Sequence, residues 1–384
     1  MTMSDARRAA QAAPAPTAAP TAAPVGMAQG TSGQRAFFPR LDGLRGIAIL
    51  LVLVEHFTYN DWLRGWHPGA VGVRTFFVLS GFLITAILLQ DRDSAAAPAS
   101  IAARFFRNRV LRLAPAFMTA VALTAALGVA DMRADWPWHV TYLSNLQVAL
   151  DGRWTGAGHF WTLALEEQFY LLWFPGVIVL PRRALPAVML GCLLLAPLFR
   201  LQIALGASPF LDVLLPAQAD ALAAGGLLAW AMRQGVSLAR VLALLGDARL
   251  CWGLIAAVAV LSAPVPPGIA WPAVVGWVLL PCVTIAAALS VIRRATVPDA
   301  GMAVLAWPWL RHVGRISYGL YVFHYLVPPT LYDLVPAMAA LAEGPGKLLR
   351  LLIWLSLSFL LAELSWRWLE RPALRLKAVA VRGA

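Results

Sequence analysis

The chain has few charged residues for its length, since only 13% of its 384 residues are Asp, Glu, Lys or Arg. Soluble globular domains average about 25% charged residues, whereas 60% of this chain is hydrophobic. This composition excludes a soluble globule and predicts an integral membrane protein. The 16 Trp residues agree with that interpretation, because Trp is enriched at both membrane–water interfaces.

Cysteine is also scarce. Cys192, Cys251 and Cys282 lie in or beside apolar segments, and their spacing matches no metal or redox motif. We interpret them as small buried hydrophobic side chains and predict no metal site. The formal net charge is +12, but Lys and Arg fall mainly between apolar segments. There they set membrane orientation, so we do not expect nucleic acid as a partner.

Apolar runs of about 20 residues, the length of a transmembrane helix, recur along most of the chain. We predict an all-α polytopic membrane protein with about ten transmembrane helices. Residues 1–36 are a low-complexity Ala/Pro-rich segment that we expect to be a disordered cytoplasmic tail, and residues 37–376 form the membrane domain. Residues 377–384 form a second cytoplasmic tail. The predicted spans are 41–58, 70–89, 109–129, 161–180, 184–205, 213–232, 250–264, 271–292, 315–332 and 348–369.

Basic residues alternate between rich and poor connections. The segments before the first span and after the second, fourth, sixth and eighth spans are rich in arginine, as is the end of the chain, whereas the other connections have few basic residues. Cytoplasmic loops carry the excess of Lys and Arg, so we expect both termini in the cytoplasm. This orientation requires an even number of spans and places residues 130–158 outside.

Arg45 and His56 interrupt the first apolar helix, RLDGLRGIAILLVLVEHF, residues 40–57. Eleven residues of helix make three turns plus about 20°, so the two side chains share a face roughly 16 Å apart along the axis. Ionisable groups at membrane depth are costly and usually face a polar interior where they carry function. The alternative is that both residues reach the two interfaces as anchors, and the spacing alone leaves the choice open.

Two further groups of polar residues stand in or beside predicted spans. Arg109 and Arg112 in FFRNRVLR are spaced i, i+3 and point the same way, which suits phosphate binding through forked guanidinium donors. Plain anchoring at a cytoplasmic edge is the alternative. Glu166 and Tyr170 share a face of the span GHFWTLALEEQFYLLWF, residues 158–174, beside Glu167. A structural ion pair is the alternative to a functional carboxylate there.

Six blocks of sequence, in order, resemble the acyltransferase-3 family of integral-membrane O-acyltransferases. The blocks are LDGLRGIAIL with His56, TFFVLSGFLIT at 75–85, RVLRLAP at 109–115, HFWTLALEEQFYLLW at 159–173, RISYGLYVFHYLV at 315–327, and WLERPALRL near the end. The chain differs from the usual family pattern at Arg74, Asn108, Ala114 and Gln218. Arg74 replaces an acidic residue and Gln218 stands where an arginine is common.

The resemblance implies transfer of an acyl group, usually acetyl, from cytoplasmic acyl-CoA to a hydroxyl of a cell-surface carbohydrate or lipid-linked glycan. It implies a bacterial-type inner (plasma) membrane, and it needs no metal. Its functional motif positions fall on His56 and Glu166 as catalytic residues and on Arg45, Arg109 and Arg112 as donor-binding residues. Further candidates are Glu167, Tyr170, Ser317 and His324.

The chemistry agrees with these residue types. A histidine can act as general base or carry an acyl group near neutral pH, and a carboxylate can orient it. The alternative function is a transporter or proton-coupled channel, because intramembrane charges also mark ion pathways. Many transporters contain an inverted repeat. The hydropathy pattern of this chain shows none, which argues against that alternative.

Overall fold

A computed structural model describes residues 38–58, 60–234, 238–264, 272–341, 344 and 346–382. These residues form helices and connecting turns, with no strand among them. The predicted N-terminal tail, residues 1–36, lies outside the described residues. The α-helices are α1 Pro39–Phe57, α2 Asp61–Arg64, α3 Pro68–Arg92, α4 Pro98–Leu127, α5 Met132–Val140, α6 Ser144–Asp151, α7 Trp161–Val179, α8 Leu185–Ala204, α9 Leu215–Gln234, α10 Ala239–Leu245, α11 Ala248–Ser262, α12 Leu280–Ala295, α13 Pro308–Arg315, α14 Ser317–His324, α15 Val327–Leu334, α16 Gly346–Ser365 and α17 Arg371–Arg382.

Length and composition allow six helical stretches of the described residues to cross a membrane, or seven if the bent pair α10–α11 is one span. The six are Asp61–Arg92, Pro98–Leu127, Leu185–Ala204, Pro209–Gln234, Val275–Ala295 and Gly346–Leu376. The chain is therefore a polytopic helical protein, as predicted. Helices α1 and α7 are not among the six, and each contains charged residues that lower its hydropathy. The count of ten stays a prediction.

The predicted ninth span, 315–332, is wrong as a single helix. The chain breaks after His324, and α15 begins at Val327 with Pro328 and Pro329 in its first turn. Proline has no N–H to continue a helix and disfavours helical geometry in the residue before it. The resulting short helix α14 is buried over all eight of its residues, so Ser317 and His324 both lie inside the bundle.

Helix α3 is the helix around which the bundle packs, and it contacts α1, α7, α9 and α12. Its contact with α9 is close because glycines face each other across it. A Cβ on Gly81 would lie 1.8 Å from the carbonyl oxygen of Leu222, and one on Gly225 would lie 2.0 Å from that of Val78. Small residues allow such backbone approach between membrane helices, where dispersion replaces the hydrophobic effect. This packing fixes the α3 face that points towards α4 and α7.

One buried ion pair joins α8 to α9, and a second, largely buried pair joins α3 to the turn before α9. Arg200 is fully buried and binds Asp220 through two nitrogens, at 3.0 and 2.5 Å. Arg74 pairs with Asp212 at 3.5 Å, and the Gln218 side chain donates to the Asp212 carbonyl at 2.9 Å. Two of the four positions where the sequence departs from the family pattern, Arg74 and Gln218, therefore meet at the same aspartate.

Candidate active site

A cavity of about 280 Å³ lies between α1, α3, α4, α7 and α14. It follows α3 from Val73 to Asp91, a rise of about 27 Å for helical residues. That length approaches the roughly 30 Å of a bilayer's hydrocarbon core. Its lining residues are Arg45, Val73, Phe76, Phe77, Leu79, Ser80, Leu83, Ile84, Ile87, Asp91, Phe105, Asn108, Arg109, Arg112, Leu113, Thr162, Leu163, Glu166, Tyr170, Ser317, Tyr318 and Tyr321. The cavity thus collects polar residues that the sequence had assigned to four separate motifs.

All three predicted donor-binding arginines line this cavity. Arg109 stacks on the ring of Tyr170, with its Cζ 3.7 Å from the ring centroid. The Nε atoms of Arg45 and Arg109 are buried, and neither has a hydrogen-bond partner in the described part of the chain. A buried, unpaired donor costs about 1–3 kcal/mol, and more when it is charged. The arrangement therefore favours a bound anion that would satisfy these donors.

Two carboxylates lie near the arginines without cancelling their charge. Glu370 accepts a hydrogen bond from Ser365 at 2.9 Å and interacts electrostatically with Arg112 and Arg45. Asp42 interacts in the same way with Arg45 and Arg112, and also with Arg311 and Arg315 on α13. Arginines outnumber acidic groups here, so the field at this level of the cavity attracts anions.

Glu166 is held in the cavity wall by a chain of hydroxyl groups. The Tyr170 hydroxyl donates to a carboxylate oxygen of Glu166 at 2.8 Å, which leaves Ser80 Oγ to donate to Tyr170 at 2.6 Å. Glu167 does not line the cavity, and its buried Oε1 has no partner among the described residues. Ser317 lines the cavity, and its buried Oγ has no hydrogen-bond partner in the described ranges. Glu166 and Ser317 therefore line the cavity, whereas Glu167 does not.

His56 does not line the cavity and lies beside His324. Its Nδ1 is 2.9 Å from His324 Nε2, and the two rings lie 21° from parallel with centroids 5.1 Å apart. His159 packs against His324 with ring centroids 5.3 Å apart. These three residues, here called the histidine cluster, come from α1, the turn before α7, and α14.

The sequence interpretation that a carboxylate orients His56 is not what the structure shows. The hydrogen bond of Glu166 goes to Tyr170, and that of His56 goes to His324. The neighbouring Glu55 instead accepts the backbone N–H of Gly69 at 2.6 Å, at the start of α3. A carboxylate is stabilising at a helix N-terminus, so Glu55 has a structural role there.

Thr162 and Tyr321 separate the cavity from the histidine cluster. Both line the cavity, and Thr162 Oγ1 donates to the Tyr321 hydroxyl at 2.7 Å. The Tyr321 hydroxyl in turn donates to the carbonyl of His159 at 2.9 Å. Each residue stands three positions from a histidine of the cluster on the same segment. The wall between the cavity and the cluster is therefore one helical turn thick.

The sequence missed several residues of this site, namely Ser80, Thr162, Tyr321, His159 and Glu370. All five stand inside motif blocks that were recognised, but nothing in their spacing distinguishes them from packing residues. Among the residues that the structure describes, no group of three His, Cys, Asp or Glu is arranged to hold a metal ion. The prediction that the reaction needs no metal stays a prediction.

Comparison with known proteins identifies the family of this chain. The family model Acyl_transf_3, described as an acyltransferase domain, matches residues 38–366. Curated relatives include O-acetyltransferase OatA of Staphylococcus aureus strain NCTC 8325 / PS 47 and that of strain COL, each 36% identical over 160 residues. These alignments cover 37% of this chain and 25% of each relative, so the chain spans about a quarter of the length of those relatives. No solved structure matches the chain significantly. Since the family model spans α1, α3, α4, α7 and α14, which together build the cavity and the histidine cluster, the chain belongs to the Acyl_transf_3 family of acyltransferase domains.

Proposed function

We propose that this protein is a membrane O-acyltransferase that moves an acyl group, usually acetyl, from cytoplasmic acyl-CoA to a hydroxyl of a cell-surface carbohydrate or lipid-linked glycan. One observation carries the proposal. A single cavity is lined by Arg45 and Arg109, whose buried Nε donors have no partner among the described residues. One helical turn of protein separates the same cavity from the hydrogen-bonded pair His56 and His324. Membership of an acyltransferase-domain family supports the reaction type.

The donor side of the proposal rests on charge and shape. The phosphates of acyl-CoA would bind Arg45, Arg109 and Arg112, because guanidinium forks match phosphate oxygens bidentately. The pantetheine arm would then follow the apolar wall formed by Phe76, Phe77 and Leu163. Tyr170, on which Arg109 stacks, and Thr162 are eight residues apart on α7, which is about 12 Å of helix. An extended pantetheine arm is able to reach across such a distance.

The chemical step assigned to His56 is general-base catalysis or transient acyl transfer. As a base, the imidazole takes the proton of the acceptor hydroxyl while its oxygen attacks the thioester carbonyl. The carbon–sulfur bond breaks, and the CoA thiolate receives the proton. As a carrier, the imidazole holds the acyl group between two such transfers. In both cases the thioester must pass the hydrogen bond between Thr162 and Tyr321.

The direction of transfer rests on the distribution of arginines along the sequence. It predicts that the C-terminal end of α3, near Asp91, is cytoplasmic and that the segment from 130 to 158 is outside. The donor would then enter from the cytoplasmic side, while His56 lies near the outer end of α1. A surface glycan approaching from outside would meet His56 without crossing the membrane. This direction of transfer, from a cytoplasmic donor to a surface acceptor, fits a protein of a bacterial-type inner membrane.

Purified protein in lipid nanodiscs, given acetyl-CoA labelled in its acetyl group, tests the proposal. We expect slow hydrolysis of acetyl-CoA without an acceptor. A glycan extract from the producing cells should speed the consumption of acetyl-CoA, with the label recovered as an alkali-labile ester. Mass spectrometry of surface glycans from cells with and without the gene should show the loss of an acetyl-sized mass. A protein that neither binds nor consumes acetyl-CoA, but conducts protons across vesicles, would support the transporter alternative instead.

A further inference from the structure

His324 is held by its own helix in one orientation. Its Nδ1 lies 2.8 Å from the carbonyl oxygen of Tyr321 and 3.0 Å from that of Leu320. A carbonyl oxygen only accepts hydrogen bonds, and a neutral imidazole has one donor nitrogen and one acceptor nitrogen. Nδ1 must therefore carry the hydrogen.

The charge of His324 decides what its other nitrogen does. The ring is fully buried, and none of the ion pairs between described residues involves it. Burying an unpaired imidazolium is far more costly than burying a neutral ring. The ring is therefore neutral, and with Nδ1 protonated its Nε2 carries the lone pair.

The bond between the two histidines then has only one direction. His324 Nε2 accepts, so His56 Nδ1, at 2.9 Å, donates. The two ring planes are only 21° apart, which allows the N–H of one ring to point at the in-plane lone pair of the other. His56 is only half-buried, and no described residue hydrogen-bonds its Nε2. The lone pair of His56 therefore sits on Nε2, the nitrogen open to a substrate.

We propose that His324 is a positioning residue that fixes His56 in the Nδ1–H tautomer and so makes Nε2 the reacting atom. The reaction part rests on the proposed function, whereas the tautomer does not. A histidine base needs a partner that fixes its tautomer and its ring orientation. Here a neutral histidine anchored to its own helix fills that role. It adds no negative charge to an apolar region, and it still accepts the Nδ1–H of the imidazolium that forms when Nε2 takes a proton.

Nitrogen NMR of the full-length protein reads the tautomer directly. The chain has only six histidines, so ¹⁵N-histidine labelling in nanodiscs gives a spectrum of six rings. Conservative His→Gln variants assign them, and two-bond ¹⁵N–¹H couplings show which nitrogen of each ring is protonated. We expect both His56 and His324 to be neutral with the hydrogen on Nδ1. A His56 ring protonated on Nε2, or a charged His324, would overturn the proposal even if the enzyme transfers acetyl groups normally.

Kinetics separates positioning from a merely structural role, with acetyl-CoA hydrolysis as the readout because it needs no identified acceptor. His324→Gln keeps an amide oxygen that is able to accept from His56, whereas His324→Leu has no acceptor. We expect His324→Leu to lower kcat about 100-fold with an unchanged KM for acetyl-CoA, as for a misplaced catalytic group, and His324→Gln to stay within about tenfold of wild type. His312→Leu is the matched control, because His312 contacts Glu363 at 3.2 Å on a half-exposed surface. Equal loss in the Leu and Gln variants, or loss through KM alone, would contradict the proposed role.

Discussion

Arg109 lies face-on against Tyr170, with its guanidinium carbon 3.7 Å from the centroid of the phenol ring. A cation–π contact of this kind contributes about 0.5–2 kcal/mol and fixes the plane of the guanidinium. The Nε of Arg109 is buried and has no hydrogen-bond partner among the residues that the structure describes, so the edge of the guanidinium remains available as a donor. An arginine that only anchored a helix at the interface would instead reach headgroups or water. The contact therefore favours the interpretation of Arg109 as a ligand-binding residue.

The first prediction concerns donor binding. Arg109→Ala combined with Arg112→Ala should weaken acetyl-CoA binding roughly 10- to 100-fold, because each charge-assisted hydrogen bond contributes about 1.5–3 kcal/mol. Arg109→Lys should weaken acetyl-CoA binding although the charge is conserved, since lysine lacks the planar fork. Equilibrium binding in nanodiscs measures both effects. Arg107→Ala on the exposed face of the same helix is the control. Equal affinity in the double variant and this control would show that Arg109 and Arg112 only anchor the helix.

The second prediction separates the ring of Tyr170 from its hydroxyl. Tyr170→Phe keeps the surface on which Arg109 stacks but removes the bonds to Glu166 and Ser80. We expect acetyl-CoA affinity to stay within about threefold and stability to fall by about 1 kcal/mol, the usual net contribution of a hydrogen bond. Tyr170→Leu should weaken binding as well, because the stacking surface is lost. The same affinity for Phe and Leu would show that the cation–π contact does not position Arg109.

The third prediction concerns orientation. In a protein whose Cys192, Cys251 and Cys282 are replaced, Trp136→Cys and Arg183→Cys each put one exposed thiol on a predicted side. An impermeant maleimide should label position 136 in intact cells and position 183 only after the membrane is opened. The reversed pattern would show that the protein is inserted the other way. The predicted entry sides of the donor and the acceptor would then be exchanged.

The fourth prediction concerns the ion pair between Arg74 and Asp212, whose side chains are only 11% and 18% exposed. Removing one partner of a buried pair leaves a desolvated charge, which costs about 3–5 kcal/mol, whereas removing both is often near neutral. We therefore expect Arg74→Met to lower the Tm more than Arg74→Met combined with Asp212→Leu. Arg153→Met is the control, since its partner Asp151 and Arg153 itself are largely exposed and such pairs contribute about 0–1 kcal/mol. Additive losses in the double variant would mean that the two charges do not interact.

The sequence predicts most of the helices that build the cavity and about half of its polar residues, because both signals are local. Hydropathy finds spans of about 20 residues, and helical spacing places Arg45 with His56 and Arg109 with Arg112 on common faces. It does not predict the partner of His56, because that partner stands 268 residues away on a separate helix. Arg74 illustrates the same limit. The sequence alone does not explain why an arginine replaces the usual acidic residue at this position. The fold does, because it brings Asp212 next to Arg74.

The break in the predicted ninth span shows a second limit. Residues 315–332 are apolar enough for one helix, and hydropathy averages over the two prolines that end it. The physical consequence is large, since the break turns α14 into a buried segment and brings His324 to His56. Glu370 was missed for a related reason. It reads as part of a basic C-terminal segment until packing brings it near Arg112 and Arg45.

The central claim is that His56 acts directly on the transferred acyl group, and His56→Gln tests it most directly. Glutamine keeps an amide at that position, so the protein should insert and bind acetyl-CoA as wild type does. It cannot take the hydroxyl proton or carry an acyl group, and loss of a general base typically costs about 10²–10⁴-fold. The measurement is acetyl transfer to the acceptor, normalised to folded, membrane-inserted protein. A fall of at least about 100-fold with unchanged acetyl-CoA binding is the predicted result, and transfer near the wild-type rate would contradict the account.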